Sequence, residues 1–229
     1  MLRSFEHRLG DRKLNQASQT ACLTFLPQLV IVIEGTQDVE LRHTAITCVD
    51  RITEKFGKKE PSAVLAAART ISGEKCLGAG ESSLQVISLL CLATMVEASG
   101  DMFISIVPET FPTAISHLGV SIAEDIEDES LHNGVYSFLE ALLIYVPWAI
   151  AGADLDRLLT ASYESANAEI GKSCDQRRSE ALALVPKQVE PKECFAALER
   201  TWPSAMTGGP LVSDPAGQRQ VCTDDDEAC

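Results

Sequence analysis

One phrase recurs four times along the chain. Asp38-Val39-Glu40-Leu41-Arg42-His43-Thr44-Ala45 sets an acid ahead of an aliphatic residue, a cation and, one turn later, a small residue. Weaker copies follow at Ser82-Ser83-Leu84-Gln85-Val86, Asp128-Glu129-Ser130-Leu131-His132 and Asp175-Gln176-Arg177-Arg178. Leu41 to Leu84 spans 43 residues, Leu84 to Leu131 spans 47, and Leu131 to Arg177 spans 46. A repeat of this length marks stacked helical units. One helical pair cannot bury its own apolar face and needs a neighbour on each side.

Each phrase reads as the start of the second helix of a pair. An Asp or Ser ahead of the first turn accepts from its free N–H groups. The stripe Leu41, Ala45, Val49 and Ile52 then faces the first helix, with Ala45 permitting close approach. Elsewhere apolar residues recur at three- and four-residue steps, and no stretch alternates as a strand does. The spacing predicts helices over 18–33, 38–56, 61–72, 81–99, 103–124, 128–146, 153–170, 174–186 and 191–202, with glycines and prolines at the breaks. Leu41, Ala45, Leu89, Leu92, Leu139 and Leu142 are expected between stacked helices. Pro27, Pro108 and Pro112 should bend or break the first members of their pairs.

The fold class is therefore all-α: an α-solenoid of about four HEAT-like helical pairs plus one unpaired helix, spanning residues 18–202. A lead-in occupies 1–17. At 203–229 a disordered acidic tail is expected, where Gly208, Gly209, Pro210, Pro215 and Gly217 precede Asp224-Asp225-Asp226-Glu227.

Composition narrows the function. The chain is 45% hydrophobic and 23% charged, as folded proteins are, and only 5% aromatic, which suits helices packed through aliphatic and small side chains. Its net charge of −14, from 33 acids against 19 lysines and arginines, opposes unaided binding of nucleic acid. Basic residues form small groups only: Arg8, Arg12 and Lys13; Lys55, Lys58 and Lys59; Arg177 and Arg178. These read first as solvated helix ends, and second as local phosphate contacts inside a larger particle. Met102-Phe103-Ile104 and Tyr145-Val146-Pro147-Trp148 are bulky and expected in the core, although Trp148 lies beside a turn and could anchor a partner. The candidate partner surface is thus Trp148, Lys55, Lys58, Lys59, Arg177 and Arg178.

No reaction centre is legible. His7, His43, His117 and His132 form no ligand or triad motif, and no P-loop or nucleophile elbow is present. The loop Gly73-Glu74-Lys75-Cys76-Leu77-Gly78-Ala79-Gly80 holds a lysine among glycines but follows no strand. Asp125, Glu127, Asp128 and Glu129 cluster at a wet turn, which suits capping and solubility better than acid–base work. The cysteines are widely spaced, without C-x-x-C, and read as buried reduced thiols; Cys222 and Cys229 lie in the polar tail. Met1 to Leu14 lacks the apolar core of a signal peptide, and Ala141–Ala153, the longest uncharged apolar stretch noted, is shorter than the roughly 18–20 residues that span a bilayer. A soluble intracellular protein follows, with no catalytic residue, cofactor, metal, membrane or small-molecule substrate.

The residues also resemble a family. The turn Lys55-Phe56-Gly57-Lys58-Lys59 and the helix Cys91-Leu92-Ala93-Thr94-Met95-Val96-Glu97 carry the resemblance, with support from Ile71–Gly78, Phe103–Pro112 and Phe195–Trp202. Over roughly Phe5 to Pro210 the chain resembles the U-three small nucleolar RNA-associated protein ten family, also called HEAT repeat-containing protein one. Members are much longer, so the resemblance implies a fragment or truncated form. It further implies a non-catalytic scaffold of the small-subunit processome. That scaffold would sit in the nucleus and nucleolus and support ribosome biogenesis and rRNA processing. Its partners would be other processome proteins and the pre-rRNA particle, with direct RNA contact left open. The alternative is a free-standing adaptor that holds a peptide or protein in its concave face.

Overall fold

The first phrase folds as its chemistry requires. Asp38 is extended, and its carboxylate accepts from Leu41 N at 3.1 Å ahead of a helix running Val39–Phe56. The computed structural model describes residues 2–9, 16–123, 129–167 and 171–206, and among them helices recur with no strand. In chain order these are α1 (Leu2–Leu9), α2 (Gln16–Gly35), α3 (Val39–Phe56), α4 (Pro61–Ile71), α5 (Ser82–Ser99), α6 (Val107–Ala123), α7 (Glu129–Tyr145), α8 (Ala153–Asn167), α9 (Lys172–Leu182), the single turn α10 (Val185–Gln188) and α11 (Pro191–Met206). Short 3-10 turns follow α3 at Gly57–Lys59, α5 at Gly100–Ser105 and α7 at Pro147–Ala149.

The helices form two layers of a solenoid-like stack. In one, α1, α3, α5, α7 and α9 lie side by side; in the other, α2 meets α4, α6 meets α8, and α8 meets α11. Pairs α2–α3, α4–α5 and α6–α7 join the layers. A continuous core runs through them, from Cys22 and Ile33 by way of Ile52, Leu89, Leu92, Leu139 and Leu142 to Leu155 and Ala197. Full burial of each Leu contributes about 1.5–3 kcal/mol. Between α4 and α6 the layer is completed by a loop. Cys76 and Leu77 are fully buried there, Ser72 Oγ lies 2.9 Å from Thr110 Oγ1, and His117 Nε2 lies 2.9 Å from Leu77 O.

One glycine allows the closest approach within the first layer. A Cβ on Gly57 would stand 2.9 Å from Ala98 Cβ and 3.0 Å from Thr53 Cγ2. The end of α3 therefore rests directly on α5.

Several expectations are corrected. Ala45, Val49 and Ile52 are fully buried, but Leu41 is 37% exposed. Side chains lean towards the N-terminus of their helix, and in the first turn this carries Leu41 off the packed stripe. Arg42 turns inward instead, with Nε donating to Ile33 O at 3.1 Å and Nη2 to Thr36 O, which closes the α2–α3 turn. Asp175 does not cap α9. Gly171 does so, at φ 119°, and Asp175 sits inside the helix paired with Arg178. Ser82 likewise lies within α5, whose N-cap is Glu81. Neither Pro27 nor Pro112 ends its helix, and Pro108 falls in the first turn of α6, where its missing N–H is harmless. Leu2–Leu9, read as lead-in, is helical and packs on α3, while α11 continues to Met206. Residues 207–229, with their acidic run, lie outside the described residues, as do Arg12, Lys13, Asp125, Glu127 and Asp128. Finally, Ser82–Ser105 is long and apolar enough to cross a membrane by length and composition, and exceeds Ala141–Ala153. In the stack α5 is flanked by α3, α4 and α7, a position that itself selects an apolar helix.

Candidate partner surface

Neighbouring helices of the first layer run in the same direction. Lys58, just past α3, pairs with Glu97 near the end of α5, and Arg177 of α9 pairs with Glu140 in the second half of α7. The turns that follow α3, α5 and α7 consequently line one edge of the stack.

That edge alternates anchors and exposed side chains. In the Gly100–Ser105 turn Phe103 is fully buried and meets Phe138 of α7 edge-on at 6.4 Å, while Ile106 is buried one 3-10 turn later. Met102 and Ile104, on either side of Phe103, are exposed. After α7, Val146 and Ile150 are buried, whereas Tyr145 and Trp148 point outward, Trp148 at 59%. Met102, Ile104, Tyr145 and Trp148 therefore do not belong to the core, and only the second reading of Trp148, as a residue beside a turn, fits its exposure. With three residues per turn, a 3-10 segment sends positions three apart to the same side and leaves the others in water. Reading 103–124 as one α-helix hid this.

The lysines stand at the α3 end of this edge. Lys55, Lys58 and Lys59 are exposed, and Lys58 Nζ lies 2.8 Å from Glu97 Oε1, which raises its pKa. Being open to solvent, the pair adds little to stability. Exposed carboxylates occur along the same edge: Glu54 and Glu60 beside the lysines in sequence, Glu97 paired with Lys58, Asp101 in the turn after α5 and Glu109 at the start of α6. The edge is thus apolar at its centre and, counting these eight ionisable residues, slightly acidic at its rim.

Arg177 and Arg178 lie elsewhere, on α9. Arg177 Nη1 donates to Glu140 Oε2 at 3.1 Å. Arg178 is mostly buried, donating to Ser165 O at 3.1 Å and to Asp175 Oδ1 at 2.6 Å. Both hold helices together, and the structure does not bring them beside the three lysines.

Other groupings among the described residues bear on chemistry. Ser165 Oγ lies 3.4 Å from His132 Nδ1, a pairing of residues that sequence reading did not connect. Both are fully buried with Tyr136, whose pKa burial raises, so no substrate could reach them. A shallow cleft of about 520 Å³ is lined by Glu34, Arg69, Thr70, Gly73, Glu74 and Lys75. There Lys75 Nζ donates to Glu34 O at 2.7 Å and Thr70 Oγ1 to Glu34 Oε1 at 2.9 Å, with two carboxylates facing any incoming phosphate. Burial pushes the Cys48, Cys76 and Cys174 thiols up to about 11 and raises Cys91 as well, which suppresses the reactive thiolate. Among the described residues no three His, Cys, Asp or Glu side chains are grouped to hold a metal ion.

Comparison with known proteins gives the chain its relatives. No family model matches it. A protein of Coccidioides immitis named U3 small nucleolar RNA-associated protein 10 is 44% identical over 210 residues, 91% of this chain. Proteins of the same name from Neurospora crassa and Aspergillus fumigatus are 42% and 38% identical over 93% of it. The chain spans about 12% of the length of these curated relatives. The resemblance in its residues is therefore borne out: over nearly its whole length the chain is a relative of one segment of U3 small nucleolar RNA-associated protein 10.

Proposed function

We propose that this chain acts as a non-catalytic scaffold segment in ribosome biogenesis, within the nucleolar small-subunit processome. Its helical pairs would be HEAT repeats, and its partners other processome proteins of the pre-rRNA particle. The observation that carries this reading is the identity of 38–44% over some nine-tenths of the chain to proteins whose name ties them to the U3 small nucleolar RNA. The geometry supports it. A stack of helices offers extended surface to partners, and this one has an exposed apolar edge, while its Ser–His pair has no access and burial suppresses the thiolates of Cys48, Cys76, Cys91 and Cys174.

The test is recovery of RNA. A tagged chain expressed in fungal cells should concentrate in the nucleolus and co-purify with U3 RNA and early pre-rRNA. A diffuse cytoplasmic signal with neither RNA recovered would overturn the proposal. A peptide-binding adaptor would then be the better reading, supported by Leu90 and Ile144, which are exposed on the outer faces of α5 and α7.

A further inference from the structure

We infer that the edge formed by the turns after α3, α5 and α7 docks a basic protein segment, one that carries lysines or arginines beside an aliphatic anchor. The inference rests on the scaffold reading and names the class of partner.

Three observations lead to it. First, Met102 and Ile104 on the turn after α5, Tyr145 at the end of α7 and Trp148 on the turn that follows it are exposed on the same edge, while their neighbours Phe103, Ile106, Val146 and Ile150 are buried. The exposed residues are thus held on fixed backbone, and desolvating them loses little conformational freedom. An apolar centre inside a charged rim is the anatomy of a protein–protein contact.

Second, the rim selects the sign of the partner. Glu54, Glu60, Glu97, Asp101 and Glu109 outnumber Lys55, Lys58 and Lys59, and Lys58 is already matched by Glu97. Asp101 adjoins Met102, and Lys58, whose ammonium also feels Tyr145, is held by Glu97. The net charge of −14 extends the same preference to longer range. A phosphate backbone would meet repulsion here, and a cationic segment attraction.

Third, the exposed aromatics suit a cation. Trp148 and Tyr145 are the ring types over which a guanidinium or ammonium is held best. Met102, unbranched and flexible, and the aliphatic Ile104 can pack an aliphatic side chain next to it.

A random peptide library panned on the full chain, followed by calorimetry with the enriched peptides, tests this. Enriched sequences should combine lysine or arginine with leucine, isoleucine or methionine. Binding should weaken with salt and fall by roughly tenfold or more in Trp148→Ala, and partly recover in Trp148→Tyr. Because Trp148 is exposed, circular dichroism of the variants should match the parent. A single-stranded RNA oligonucleotide should show no binding that depends on Lys55, Lys58 and Lys59. Enrichment of acidic or of no peptides, or unchanged affinity in Trp148→Ala, would overturn the inference, as would lysine-dependent RNA binding. None of these results would touch the recovery of U3 RNA, so the two readings fail separately.

Discussion

The junction between α5 and α7 differs in kind from that between α7 and α9. At the first, Gly134 of α7 lies against Leu89 and Val86 of α5, and Leu89, Leu92, Leu139 and Leu142 are wholly buried. At the second, polar groups make the joint: Asn133 Nδ2 donates to Ser173 Oγ at 3.1 Å, Ser173 donates to Glu129, and Arg177 bridges to Glu140. Within α9 only Cys174 and Ala181 are buried. One repeat unit thus yields a dry centre and a hydrogen-bonded end. Apolar burial is cumulative, whereas exposed polar ties add little each, so the stack should loosen from the α9–α11 end.

Core truncation should reveal this most strongly. Leu89→Ala and Leu139→Ala should each lose about 2–5 kcal/mol in denaturant unfolding, whereas Leu41→Ala, at an exposed position, should lose well under about 1 kcal/mol. Near-zero losses at both core sites would remove the contrast between the junctions.

A pH effect should come next. Burial lowers the pKa of His117, against a smaller opposing effect from its hydrogen bond to Leu77 O. The folded state therefore prefers neutral imidazole. Its contribution is complete above the ordinary value of 6.5 and is lost as pH falls below it. The midpoint of His117→Gln should accordingly decline less between neutral and mildly acidic pH than that of the parent. Parallel declines would place the pH sensitivity elsewhere.

The smallest effect belongs to the polar joint. A double-mutant cycle on Arg177 and Glu140, both partly exposed, should give a coupling of about 0–1 kcal/mol that shrinks with salt. A larger, salt-insensitive value would make the α7–α9 junction as firm as its neighbour.

How far the sequence discloses this depends on range. Asp38 as a cap, the helix breaks near Gly57 and Gly100, and the buried Ala45, Leu89 and Leu139 are local consequences of spacing, and the structure matches them. Trp148 beside a turn is legible for the same reason. Met102 and Ile104 are misplaced in sequence reading because three residues per turn and 3.6 differ by too little to separate over six residues, and Tyr145 because it closes α7 where the packed stripe ends. The inward Arg42 depends on carbonyls of the preceding helix, and the joining of His132 to Ser165 depends on how α7 meets α8. Neither is encoded within any one window.

Amide hydrogen exchange tests the contrast most directly. The account predicts that residues 129–145 and 82–99, at the apolar junction, exchange slowest, and that 172–182 and 191–206 exchange markedly faster, because the end of the stack opens before its centre. Equal protection of α11 and α7 would contradict it, and would mean that the stack opens as one cooperative unit.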